Sequence, residues 1–233
     1  MSEIVPAVMP KSFYELENAI YIASGKVPFL QIDIMDGVFV KGVTWPFNDM
    51  DTFIEMARTE TMLPNWEDVS FEFDMMVSNP TDIVDKLVLI GASRIIYHFQ
   101  SLKNPILDVK NFSDSYRISD NPAGVELVIA VPFDSKPEII LEIADMIDGV
   151  QIMGISPVGV QGSEFKNETI DTVKIFKEKY PNLKISVDGG VKEKNILDLV
   201  NAGTDRLVMG SAIFGNENPR EELKRLLGIV NSI

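Results

Sequence analysis

Apolar runs short enough for single strands alternate along this chain with amphipathic segments long enough for helices. The clearest run is Leu30–Phe39, LQIDIMDGVF, in which polar residues interrupt at alternating positions. Successive side chains of a strand point to opposite faces. Leu30, Ile32 and Ile34 therefore share one face and Gln31, Asp33 and Met35 the other, and Asp36-Gly37 then signals a turn. Taken alone, the pattern also fits a half-exposed antiparallel strand with one wet face. The rest of the chain supplies the context. Further strand-like segments are Ile4–Met9, Val69–Met76, Ser93–Phe99, Gly124–Val131, Gly149–Met153, Leu183–Val187 and Arg206–Met209. Periodicity predicts helices over Phe13–Ala23, with Ser12 as N-cap and Glu15 at the capping-box position, and near Asp49–Arg58. Others run from Asn79-Pro80-Thr81 to about Ile90, from Ser135 to Ala144, over Ser163–Tyr180, from Lys192 to Asn201 and over Pro219–Ile229. The stretch from strand four to Asn121 reads as polar and less regular.

Eight β-then-α units without a linker or a break in composition predict an α/β fold, a single (β/α)8 TIM barrel occupying residues 1–233 as one domain. A doubly wound open sheet is the runner-up, but it usually carries a glycine fingerprint after its first strand, and none follows Ile4–Met9.

In such a barrel the functional residues sit at the C-terminal ends of the strands. Period-2 parity sends Gln31, Asp33 and Met35 inward from strand two, Glu72, Asp74 and Met76 from strand three, Ile96 and His98 from strand four, Met153 from strand six, and Ser186 and Asp188 from strand seven. A single inward aspartate reads equally as a structural hydrogen-bond acceptor. Three of them, Asp33, Asp74 and Asp188, converging on one mouth imply either a cation between them or a shared proton, because carboxylates a few ångströms apart repel. His98, the only histidine, is either a satisfied core residue or a ligand contact. Met35, Met76 and Met153 are either core filler or a dry, compliant wall beside the carboxylates.

Gly189-Gly190 follows strand seven and precedes a helix, and Gly210-Ser211 follows strand eight. These are the two loops with which barrels often hold phosphate, and the loop containing Gly159 and Gly162 after strand six could close over the same group. Ordinary turn glycines are the other reading.

Composition narrows the partners. Acidic residues outnumber basic ones 35 to 21 in 233 residues, a formal charge of -14, and no basic cluster stands out, so no nucleic-acid partner is expected. An anionic substrate would have to be held locally by backbone N–H groups. There are no cysteines, hence no disulfide framework and no thiolate metal site. No signal pattern opens the chain and no apolar run could span a bilayer, so a cytoplasmic protein without a membrane partner is expected.

Several blocks together resemble the ribulose-phosphate 3-epimerase family: Gln31–Val40, Asp74–Pro80, His98, Gln151-Ile-Met153, Val187-Asp-Gly-Gly-Val191 and Gly210–Phe214. The resemblance implies interconversion of ribulose 5-phosphate and xylulose 5-phosphate by two aspartates on opposite faces of C3. They correspond to Asp33 and Asp188. It likewise implies that Met35, Met76 and Met153 line the intermediate, that Gly189-Gly190 and Gly210-Ser211 hold phosphate, and that copies assemble as a homo-oligomer. The family holds a divalent metal with two histidines and two aspartates. Here the histidine positions are Gln31 and Asp74, a serine near the end of strand one is Ala7, the Asn-Pro-Gly-Phe-Gly-Gly-Gln lid is Ser156–Gly162, and Lys41–Pro46 replaces the usual segment after strand two.

The resulting donor set, Gln31, Asp33, Asp74 and Asp188, is all oxygen, which suits Mg²⁺ or Mn²⁺ better than Zn²⁺. The expectation is an isomerase acting on a phosphorylated ketose through an enediolate. The alternatives are a non-catalytic sugar-phosphate-binding barrel that has lost the metal, or an epimerase for another phosphorylated ketose. A decarboxylase would need Asp-x-Lys on strand two, where Met35 stands, and a Schiff-base aldolase would need an inward lysine higher than Lys184.

Overall fold

The computed structural model describes residues 2–116, 124–160 and 162–233. Eight parallel strands, β1 (Glu3–Val8), β2 (Phe29–Met35), β3 (Ser70–Met76), β4 (Ala92–His98), β5 (Glu126–Pro132), β6 (Gly149–Met153), β7 (Lys184–Asp188) and β8 (Arg206–Met209), close into a barrel in sequence order. Helices α1 (Phe13–Ala23), α2 (Met50–Arg58), α3 (Val84–Leu89), α4 (Pro105–Tyr116), α5 (Glu168–Lys179), α6 (Glu193–Ala202), α7 (Ser211–Phe214) and α8 (Pro219–Val230) lie in the connections. No helix among the described residues is long and apolar enough to cross a membrane.

Local chemistry explains several boundaries. The Ser12 hydroxyl accepts the Glu15 N–H to start α1, and Asn218 accepts from Glu221 to start α8 behind Pro219. Gly203, at φ 100, ends α6 in the left-handed conformation.

Four expectations are corrected. Ser135–Ala144 is not an α-helix but two 3₁₀ turns, Pro137–Ile140 and Ala144–Met146. Pro137, Ile140 and Ile143 are all buried at a spacing of three, the period of a 3₁₀ turn rather than of an α-helix. The helix after β6 begins at Glu168, not Ser163, because Lys166 N–H donates to the Gly154 carbonyl at 2.8 Å and holds the preceding residues extended. The segment after β3 opens as a 3₁₀ turn at Pro80–Asp82 before α3. The stretch read as irregular contains α4; its residues 117–123 lie outside the described residues.

The main core lies between the sheet and the helices, where Leu30, Ile32 and Ile34 pack with residues such as Leu16, Phe53 and Phe73. Inside the barrel two small apolar clusters share the space with buried polar side chains. Ile96, Val128, Ala130 and Met153 form one small cluster, and Val5, Ala7 and Val208 another. The floor is ionic. Buried Arg94 bonds Glu72 and, at 2.6 Å, Glu126, while Arg206 bonds Glu3 at 2.8 Å. The Arg94 guanidinium lies 4.0 Å from the Phe29 ring centre. Each charge in this layer therefore meets an opposite one, which is the condition for keeping it out of water. The floor closes the lower end, so the mouth is where a ligand enters.

Candidate active site

Strand parity delivers the carboxylates. Asp33 and Asp74 face each other directly across the β2–β3 pair, and Asp188 ends β7 opposite Met153 of β6. Asp33 and Asp74 are buried, and Asp188 is partly so. One amide nitrogen joins two of them. Gln31 Nε2 donates to Asp33 Oδ1 at 2.8 Å and to Asp188 Oδ2 at 2.8 Å. A second amide does the same on the other side. Gln151 Nε2 donates to Asp74 Oδ2 at 3.1 Å and to Asp188 Oδ2 at 3.3 Å, with Met153 sulfur 3.8 Å away. His98 Nε2 lies 2.7 Å from Asp74 Oδ1. The result is one hydrogen-bonded chain from His98 through Asp74, Gln151, Asp188 and Gln31 to Asp33.

Burial, then the neighbouring Asp188 and Asp74 charges, pushes Asp33 well above the ordinary carboxylate range. Burial and the Asp74 charge push Asp188 up to about 7, against the opposing hydrogen bond from Gln31 and the influence of His98. Near neutral pH the pair therefore retains a proton that ordinary aspartates would have lost. A carboxylate beside a carboxylic acid can accept a proton at one site and deliver one at the other.

Asp33, Asp188, Met76, Met153, Gly159, Gly162, Gly189, Gly190, Gly210 and Ser211 all line one narrow cavity of about 50 Å³. It adjoins a wider cleft of about 850 Å³ through Met153, Ile155 and Val160, and His98 lines that cleft. Met35 is buried beneath Gly42 rather than in the cavity wall; Gln31, bonded to Asp33 and Asp188, and Asp74, bonded to His98 and Gln151, are buried and do not line the cavity. Gly190 has φ 69, and a Cβ there would stand 2.9 Å from the backbone of Phe165. Only glycine allows this close crossing of the loops after β6 and β7. The crossing is tightened where Gly154 N–H donates to the Asp188 carbonyl at 2.6 Å. Gly159 abuts Val40, so the loop after β6 meets the loop after β2 above the mouth; Gln161 of that loop lies outside the described residues. Lys184 is exposed and faces Asp205, away from the mouth, which fits the sequence-based rejection of an aldolase lysine.

Two residues of the site escape a sequence reading. Gln151 has inward parity two residues before Met153 and stands in one of the blocks of family resemblance, but nothing in the sequence marks a single glutamine in an apolar run as a partner of the carboxylates. Asp36 reads only as a turn residue. Its carboxylate accepts the N–H groups of Val38, Phe39 and Ser78 and the Ser78 hydroxyl at 2.7–3.0 Å, tying the loop after β2 to the end of β3. Burial opposes the charge, and these bonds outweigh it, holding Asp36 below its usual value.

Oxygens of Asp33, Asp74 and Asp188 lie within 4.8 Å of one another, a spacing that could hold a metal ion. The fit depends on Gln31. Its Nε2 stands between Asp33 and Asp188, and its buried Oε1 has no hydrogen-bond partner among the described residues. Half a turn of the amide would direct that oxygen into the cluster and complete an all-oxygen donor set.

A (β/α)8 barrel with paired acidic groups and glycine-rich loops at its mouth defines the class. The ribulose-phosphate 3-epimerase family model matches residues 3–214, and the chain belongs to that family. It is 26% identical over 234 residues to the ribulose-phosphate 3-epimerase of Eremothecium gossypii, covering 95% of this chain and 94% of the relative. To that of Aquifex aeolicus it is 27% identical over 240 residues, covering 100% and 98%. Among solved structures, a complex of KGPDC from Streptococcus mutans superposes with a TM-score of 0.72 at 14% identity, covering 100% of this chain and 98% of that one. That likeness concerns the fold alone.

Proposed function

We propose that this protein epimerises a phosphorylated ketose at C3, converting ribulose 5-phosphate to xylulose 5-phosphate, with Asp33 and Asp188 as the two proton-transfer groups. The observation that carries the reading is the pair itself: two carboxylates from β2 and β7, tied to one amide nitrogen at 2.8 Å each, in a cavity walled by Gly189, Gly190, Gly210 and Ser211. Family membership supports it.

The glycine loops bind the phosphate through backbone N–H groups, which fixes the sugar relative to the carboxylates. One aspartate takes the C3 proton, leaving an enediolate, and the other, protonated, returns a proton to the opposite face. The roles exchange for the reverse reaction. Burial of Met76 and Met153 beside the pair keeps water from the carbon being reprotonated. A divalent cation would be held by Asp33, Asp74, Asp188 and the turned carbonyl of Gln31, with Mg²⁺ or Mn²⁺ favoured by the oxygen set. When bound it would stabilise negative charge on the enediolate oxygens.

The test is conversion of ribulose 5-phosphate followed by proton NMR. Appearance of xylulose 5-phosphate supports the reading. Saturable binding without conversion points to a sugar-phosphate-binding barrel. Conversion of a different ketose phosphate alone moves the activity to another substrate, for which the wide cleft lined by Met153 and Lys41 offers room.

A further inference from the structure

We propose, resting on the epimerase reading for where phosphate and reacting carbon lie, that the wide cleft is a subsite for the carbonyl-side end of the substrate. It takes ketose phosphates that carry further hydroxylated carbons at that end, and His98 Nδ1 accepts a hydroxyl of the extension.

The order of strands around the barrel sets the direction. A phosphate held by Gly189-Gly190 and Gly210-Ser211 lies over the ends of β7 and β8, and Asp188 closes β7 in the same cavity. Met153 on β6 stands opposite Asp188 in the strand register, and the cleft opens beyond it over β4, β5 and β6. A ketose with its phosphate in the glycine loops and its reacting carbon between Asp33 and Asp188 therefore turns its carbonyl end toward Met153 and the cleft. In ribulose 5-phosphate that end is a single CH₂OH group. The cleft measures about 850 Å³, against about 50 Å³ for the cavity at the carboxylates, and lies in the range of sites that take much larger ligands. One hydroxymethyl group leaves most of it to water.

The wall of the cleft suits a polyhydroxy chain. His98 is buried and lines it, with its ring 5.4 Å from that of Phe39. Nε2 of His98 is held by Asp74 Oδ1 at 2.7 Å, whereas Nδ1 has no hydrogen-bond partner among the described residues. A carboxylate accepts from Nε2–H, which leaves Nδ1 of the uncharged ring an acceptor for a hydroxyl. Lys41 and Gln100 add donors at the rim and Asp134 adds acceptors, while Phe133 and Val158 offer apolar faces to the C–H edges of a sugar chain. Donors and acceptors mixed in one wall match hydroxyl groups, which are both. An anionic extension would meet Asp134, and an apolar one would leave the buried His98 Nδ1 without a partner.

The experiment compares three substrates by deuterium exchange in D₂O, using the intact protein with Mg²⁺ or Mn²⁺ supplied. The decisive one is a hex-3-ulose 6-phosphate with the ribulose configuration at C4 and C5. It inserts one CHOH between the terminal CH₂OH and the carbonyl, and keeps the spacing from phosphate to reacting carbon, now C4, as in ribulose 5-phosphate. A hex-2-ulose 6-phosphate inserts the same group on the phosphate side instead. The wild type is expected to epimerise the hex-3-ulose with kcat/KM about two- to tenfold above that for ribulose 5-phosphate, the worth of one further hydrogen bond, expressed mainly in KM. His98→Gln keeps an amide that can donate to Asp74 but loses the acceptor in the cleft, and should bring the ratio of the two kcat/KM values to about one or below. Val158→Trp fills the cleft and should lower the same ratio, which keeps the test open if His98→Gln does not fold. A hex-3-ulose processed no better than ribulose 5-phosphate, a ratio unmoved in the folded variants, or a preference for the hex-2-ulose overturns the inference and leaves the epimerase reading standing. No exchange with any of the three overturns the epimerase reading instead. Calorimetry with the ketoses then decides the subsite: tighter binding of the hex-3-ulose 6-phosphate than of ribulose 5-phosphate supports it, and equal or weaker binding overturns it.

Discussion

Replacing Asp188 by asparagine is expected to stabilise the protein at alkaline pH while it removes the chemistry. In the folded protein burial and Asp74 raise this carboxyl from 3.8 to about 7. The unfolded chain therefore loses the proton near pH 4, whereas the folded chain keeps it to near pH 7. Between those values the unfolded state binds fewer protons, and stability falls as pH rises. The difference corresponds to at most about 4 kcal/mol at 1.36 kcal/mol per unit. Asp188 is only partly shielded from water, which weakens the effect. Its oxygen that accepts from Gln31 and Gln151 is matched by the asparagine carbonyl, so those bonds persist. We expect a net gain of about 1–3 kcal/mol at pH 8, or roughly 3–9 °C in Tm for a chain of this size. The assay is urea denaturation of both proteins from pH 3.5 to pH 8.5. The two curves should converge near pH 4, separate between pH 4 and 7, and run parallel above. Equal stability at pH 8, or a difference independent of pH, would refute the reasoning, because Asp188 would then be no more reluctant to ionise than an exposed aspartate.

Other consequences follow from the same structure. Arg94→Met leaves Glu72 buried without its partner and should lower stability by about 3–5 kcal/mol, whereas Glu72→Met combined with Arg94→Met should recover most of the loss in the same denaturation assay. Gly190→Ala meets both a left-handed φ and the Phe165 backbone, and should weaken binding of ketose phosphate far more than that of the unphosphorylated ketose in calorimetry. Asp36→Asn should reduce stability at pH 7 by about 1 kcal/mol through weaker hydrogen bonds to the loop after β2. Because Asp36 is held below its usual value, that stabilisation is present above about pH 4 and is lost as pH falls through its folded-state value, where variant and wild type should coincide.

The parts legible in the sequence are those governed by the period of two. Strand parity put Asp33, Asp74 and Asp188 on the inner face, and each is there, because shifting a strand by one residue would turn its apolar face away from the helices. Gly189-Gly190 after β7 was legible for a similar reason: both adopt positive φ, and few residues tolerate so close a backbone crossing as the one at Phe165. The floor of the barrel was not legible. Arg94, Glu126, Arg206 and Glu3 look like surface charges until four strands are brought together. Helix α4 was missed because its buried positions reduce to Val109 and Phe112, too few to raise an apolar period. Gln151 was missed because an inward amide gains meaning only from Asp74 and Asp188, which stand 77 and 37 residues away.

The central claim is that Asp33 and Asp188 address opposite faces of one carbon. It is tested most directly by following deuterium at C3 in D₂O with each epimer supplied separately to Asp33→Asn and to Asp188→Asn. Each variant should lose epimerisation yet still exchange the C3 proton of one epimer, and the two variants should retain opposite epimers. Exchange of the same epimer by both variants, or undiminished epimerisation by either, would contradict a shuttle of two aspartates.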